Sequence, residues 1–129
     1  MGSNLLNGVL ENVLVFAPHS DDDILGCGGL IRKVVKSGGK VHVVLATVGD
    51  VRFYHSNKVV KAETRIKEFE TALDYLGVNS TEIMYTDHEQ VLDTVPMVDL
   101  VTKMDKIIHA VEPSAVLIPY PSFHQDHKA

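Results

Sequence analysis

The sequence predicts an α/β protein, a Rossmann-like open parallel sheet with helices on both faces, and three observations carry that expectation. Short apolar runs, Val13-Leu14-Val15-Phe16, Val41 to Ala46 broken only by His42, and Ala115-Val116-Leu117-Ile118, have the character of strands buried on both faces. Stretches with helical apolar spacing separate them, so the crossovers run to about a dozen residues or more, which requires parallel strands and right-handed connections. Acidic and imidazole side chains gather just past strand ends, where open α/β sheets place their ligand sites.

The elements follow in order. The first strand is expected at about Val13–Ala17 and the first helix from about Asp23 to Ser37, with Ile24, Leu30, Ile31, Val34 and Val35 as its apolar positions. Gly38-Gly39 supplies the C-terminal glycine signal. The second strand is Val41–Ala46, and His42 within it reads as a satisfied core or strand-edge histidine. Thr47 to Lys58 is a polar loop of about a dozen residues, a length often tied to function, and is read either as a flap over a site or as a solvated surface loop. The second helix is expected over about Val60–Leu76, where Ala62, Ile66, Phe69, Leu73 and Leu76 recur at helical spacing before Gly77. A short third strand, Glu82–Tyr85, precedes Asp87. The third helix covers about Met97–Val111, opened by Pro96 and carrying Met97, Val101, Met104, Ile108 and Val111 on one face. The fourth strand is Ala115–Pro119.

The 129 residues suit one domain, 1–129, with no repeat, low-complexity tract or linker that suggests a second. At 45% hydrophobic the chain can build a core, and a net charge of −5 with no basic run argues against a nucleic-acid partner. The single Cys27 cannot form an internal disulfide and reads as a small packing residue at a Gly-rich helix start. No apolar stretch reaches the ~18 residues of a transmembrane segment, and the N-terminus lacks a basic n-region, so the expected location is cytoplasmic. A homo-oligomer is compatible with all of this.

Two clusters carry the chemistry. His19-Ser20-Asp21-Asp22-Asp23 follows the first strand, and Phe123-His124-Gln125-Asp126-His127 follows the last. Adjacent acids repel one another and are costly to bury. Read alone, the first cluster is an ordinary acidic helix start. With His19 beside it and a second histidine pair at another strand end, a cation site becomes the stronger reading. Strand ends of one parallel sheet converge in space, imidazole and carboxylate are good zinc ligands, and a catalytic zinc site needs three of them plus an open position.

His-x-Asp-Asp after the first strand, Leu25-Gly26-Cys27-Gly28-Gly29 behind it, and His124-x-x-His127 after a later strand resemble the LmbE/PIG-L family of zinc-dependent N-deacetylases acting on N-acetylglucosamine-type sugars. The likeness extends to Thr47-Val48-Gly49-Asp50, similar to the family's Thr-x-Gly-Glu, and to Arg65-x-x-Glu68, Ala72 and Leu76-Gly77 in the middle helix. Asp23 and Ser20 depart from the family's usual Glu and Pro, at positions that are not metal ligands there. The resemblance implies that His19, Asp22 and His127 hold the metal, that Asp21 is the general base, and that His124 stabilises the oxyanion or protonates the leaving amine. It also implies that Arg65 and Asp87 face the substrate, a small N-acetylated sugar or glycoconjugate. The implied metal is Zn2+, with another divalent transition metal such as iron or cobalt compatible with the same donors. Family chains continue well past His-x-x-His, whereas this sequence stops two residues after His127, so the resemblance implies an N-terminal portion of a larger catalytic domain.

Other classes fit less well. A phospho-acceptor domain leaves His19, His124 and His127 without a role. A dinucleotide module needs a G-x-G-x-x-G turn, and Gly26-Cys27-Gly28-Gly29 lies inside a helix instead. The nearest alternatives are an inactive fragment of such an enzyme and a non-catalytic sugar-binding relative, although none of the ligands or the base is missing here.

Overall fold

The apolar runs assemble as their continuity demands. The computed structural model describes residues 8–19, 22–86, 92–119 and 126, without the side chains of residues 22–27. In chain order the elements are β1 (Asn12–Ala17), α1 (Asp22–Lys36), β2 (Lys40–Thr47), β3 (Val51–Phe53), β4 (Lys58–Val60), α2 (Ala62–Leu76), β5 (Ser80–Tyr85), a 3-10 turn (Leu92–Thr94), α3 (Met97–Val111) and β6 (Ala115–Leu117). Four of these strands form one sheet in the order β5-β2-β1-β6. Every neighbour is parallel, with Val13 opposite Val41 on one side and Ala115 on the other.

Strand alternation divides the core between the faces. Val13, Val15 and Ala17 of β1 join Val41, Val43 and Leu45 of β2 under Ile31 and Val34 of α1 and Phe69 and Leu73 of α2. Leu14, Phe16 and Val44 point the other way, against Ile107 of α3, with Met104, Ile108 and Val111 packed around it. Leu14, Val41, Leu45 and Leu73 are completely buried. Each such side chain contributes about 1.5–3 kcal/mol through removal from water. The helices therefore lie on both faces, α1 and α2 on one and α3 on the other.

Because the strands are parallel, β1, β2, β5 and β6 all end on one rim. The backbone ladder continues to that rim: Thr47 N–H donates to Pro18 O (3.2 Å) and Val48 N–H to Tyr85 O (3.1 Å). The residue after β1 is thereby held beside the end of β2.

Several boundaries differ from the sequence expectation. The polar stretch after β2 contains an antiparallel hairpin, pairing Val51 with Val60, Arg52 with Val59 and Phe53 with Lys58. Asn57 takes the left-handed conformation (φ 52°) that its turn needs. Val60 accordingly belongs to β4, and α2 begins at Ala62. Asp50 accounts for that start, because its Oδ1 accepts the Ala62 N–H at 2.7 Å. The helix is capped from across the hairpin, and the residue at the cap position, Lys61, supplies no side-chain cap. The third strand of the sheet begins earlier than expected, at Ser80, and the fourth ends at Leu117.

Candidate active site

Pro18 and His19 leave the end of β1 on the carboxyl rim. The His19 ring is mostly enclosed, its side chain 12% exposed, and its Nε2 lies 2.7 Å from Oδ2 of Asp126, whose side chain has no exposure at all. Oδ1 of Asp126 accepts the backbone N–H of Leu92 at 2.8 Å. A buried carboxylate is costly unless its oxygens are hydrogen-bonded, and here each oxygen has a donor. Three segments distant in sequence thus meet at one carboxylate: the end of β1, the 3-10 turn before α3, and the stretch after β6.

The neighbouring strand contributes Thr47, wholly buried at the end of β2. Its Oγ1 is buried without a hydrogen-bond partner among the described residues. Buried hydroxyls are seldom left so, and this one lies at the rim where Thr47 N–H meets Pro18 O.

The base of the hairpin forms a second polar group. Asp50 accepts from Ala62 N–H and, at 3.2 Å, from Lys61 Nζ. These contacts, the Ala62 N–H first and the Lys61 ammonium second, hold the Asp50 carboxyl below the ordinary aspartate range. Arg65 Nη1 donates to Gly49 O at 2.8 Å. Its guanidinium therefore reaches the segment following β2.

Of the residues expected from sequence, His19 and Arg65 are described with their side chains. Asp22 is the first residue of α1, and its side chain is outside the described residues, as are Asp21, Asp87, His124 and His127. Among the described residues no three His, Cys, Asp or Glu side chains group as metal ligands. Asp126 was not among the expected site residues. The signal open to a sequence reader was its position between two histidines of a strand-end cluster, and nothing in the sequence marks it as buried.

The architecture defines a class first: a doubly wound α/β protein with a strand-end histidine paired to a buried acid, and a buried threonine, at its carboxyl rim. Within that class the chain belongs to the family described as PIG-L, GlcNAc-PI de-N-acetylase, whose pattern matches residues 14–129. It is 31% identical over 126 residues to a probable N-acetyl-alpha-D-glucosaminyl L-malate deacetylase 2 of Bacillus cereus, covering 92% of this chain and 57% of that protein. Among solved structures it resembles N,N'-diacetylchitobiose deacetylase from Pyrococcus horikoshii (TM-score 0.70, 27% identity, 92% of this chain and 45% of that one). It also resembles the conserved protein TT1542 from Thermus thermophilus (TM-score 0.72, 25% identity, 91% and 50%). The chain spans about half the length of the relatives it matches. Among the described residues no helix is long and apolar enough to cross a membrane.

Proposed function

We propose that this chain carries the catalytic rim of a metal-dependent hydrolase that removes the acetyl group from an N-acetylglucosamine-type sugar or glycoconjugate. The observation that carries the proposal is the 2.7 Å contact between His19 and Asp126. It joins the cluster after β1 to the His124-to-His127 cluster, which supports a site assembled from both strand ends. Membership of the family and the deacetylases among its relatives support the same reaction class.

The donors suit the metal. Imidazoles and carboxylates are the usual ligands of zinc and of other divalent transition metals. His19, Asp22 and His127 would hold the ion. Its contribution when bound would be Lewis acidity, which lowers the pKa of bound water to about 7 and polarises the acyl carbonyl. The chain's own groups do the rest. Asp21 accepts the proton of the attacking water as general base. His124 offers an N–H to the developing oxyanion or a proton to the leaving amine. Arg65, brought toward the rim by its bond to Gly49, and Asp87, past the end of β5, orient the sugar.

The test is metal analysis of the purified protein followed by a screen of N-acetylated sugars for released acetate. Stoichiometric metal with acetate release supports the proposal. Metal with sugar binding but no acetate release favours the non-catalytic relative, and neither metal nor release refutes both.

A further inference from the structure

Among the described residues the Asp126 carboxylate meets two nitrogens, and they differ in kind. One is that of the Leu92 backbone N–H, which can only donate. The other is His19 Nε2, and a ring nitrogen can donate or accept depending on where the single proton of a neutral imidazole sits. An ionised carboxylate offers acceptors only, so a 2.7 Å contact to it places the proton of the His19 ring on Nε2. The lone pair of the neutral ring is then on Nδ1. A metal ligand needs that lone pair aimed at the ion, and the hydrogen bond on the opposite nitrogen sets which atom provides it.

We propose that Asp126 is a positioning residue that fixes His19 as the Nε2–H tautomer, so that His19 meets the metal through Nδ1. This rests on the metal-site reading above and adds a residue and an atom to it. The burial of Asp126 serves that role. A carboxylate with no exposed side-chain surface, anchored by a main-chain N–H, cannot exchange its histidine for water and holds the ring in one orientation.

The substitution Asp126→Asn separates this role from simple packing. An amide keeps the size of the carboxyl group but has one acceptor oxygen in place of two. The Leu92 N–H requires that oxygen, which leaves the amide NH2 facing His19 Nε2. The ring must then accept at Nε2 and carry its proton on Nδ1, the atom meant for the metal.

Nitrogen-15 NMR of the ring reads the tautomer in metal-free protein, and competition with a chromophoric chelator reads zinc affinity. The expected result is an Nε2–H ring in the wild type and an Nδ1–H ring in D126N. Zinc should bind about 10–100-fold more weakly in D126N, the usual effect of losing such an outer partner. Asp126→Glu, which retains both acceptor oxygens, should restore the Nε2–H form at least in part. A wild-type ring protonated on Nδ1 overturns the proposal without recourse to any variant, as does a D126N protein with unchanged tautomer and unchanged zinc affinity. A wild-type chain that binds no zinc overturns the hydrolase reading instead, and the metal-free ring measurement still decides the tautomer.

Discussion

His42 Nε2 lies 3.0 Å from Oδ1 of Asn12, and the remaining bonds of Asn12 decide which of the two atoms donates. The Asn12 amide Nδ2 donates to Val111 O at 2.8 Å, so its Oδ1 is the atom turned to the ring. His42 must carry its proton on Nε2, while Nδ1 accepts from the Ser80 hydroxyl at 2.5 Å. One imidazole in β2 thereby ties the amino end of β1 to the start of β5.

The first prediction follows from this bond. Burial, and secondarily the nearby Lys40 ammonium, push the His42 pKa below its ordinary value. A depressed histidine pKa means that the unfolded chain takes up the proton first. The stability contributed by neutral His42 is therefore fully present above about pH 6.5 and is lost as pH falls through the depressed folded value. Urea midpoints measured from pH 7.5 to pH 5 should decline in the wild type, and part of that decline should vanish in His42→Gln. Identical pH slopes in the two proteins would show that His42 is not the linked group.

Two glycines should respond to alanine with opposite sign. A Cβ at Gly39 would lie 2.6 Å from Leu10 O and 2.7 Å from Val34 Cγ1, and the first of these is backbone that cannot step aside. Gly39→Ala should lower the thermal midpoint clearly. Gly29, within α1, has nothing but its own helix backbone within 4 Å of the same position among the described residues. Gly29→Ala should stabilise by about 0.5–1 kcal/mol through helix propensity and reduced freedom of the unfolded chain. A shift in the same direction for both variants would contradict the packing described at Gly39.

Asp50 should prove necessary for the start of α2. Asp50→Ala removes the acceptor of the Ala62 N–H, and hydrogen exchange at Ala62 and across β3 and β4 should accelerate while Leu73 stays protected. Because its contacts hold the Asp50 pKa down, the stabilisation it provides is present above about pH 3.9 and disappears as pH falls through the depressed value. Unchanged exchange at Ala62 would mean that the helix start is fixed by something else.

The proposed division between the two adjacent acids is open to direct measurement. Asp22→Ala should lose metal and turnover together, since a ligand is removed. Asp21→Asn should keep nearly stoichiometric metal and cut kcat by roughly 10²–10⁴, the usual effect of losing a general base. Zinc lost from Asp21→Asn and retained by Asp22→Ala would reverse the two roles. Metal and activity retained by both would reduce this stretch to an acidic helix start.

Legibility from sequence tracked the length of the physical signal. β1 and β2 announce themselves through unbroken apolar runs, and α2 and α3 through apolar spacing sustained over several turns. Their burial and pairing agree with that. The hairpin escaped because three-residue strands are too short to show a period, and its exposed Phe53 and Tyr54 do not alternate with a buried face. Asp126 escaped for another reason. Its burial depends on His19, 107 positions earlier, and on the Leu92 main chain, and a long-range contact leaves no local pattern. Histidines between carboxylates signal ligands by their chemistry alone, whereas an acid that serves them from behind looks like any other acid.

The sheet order has a consequence for how the protein is made. β1 leaves the ribosome before the other strands, yet its place is interior, between β2 and β6. The 102 residues that separate Asn12 from Ser114 take about 5–20 s to synthesise at ordinary elongation rates. Throughout that interval one side of Val13-Leu14-Val15 has no native strand to pair with, and an unpaired apolar edge recruits other chains. β6 and the Asp126 carboxylate beyond it arrive together, so the event that closes this edge in the nascent chain is also the one that anchors His19. Slow or stalled translation past α3 should therefore produce aggregates before it produces inactive monomers.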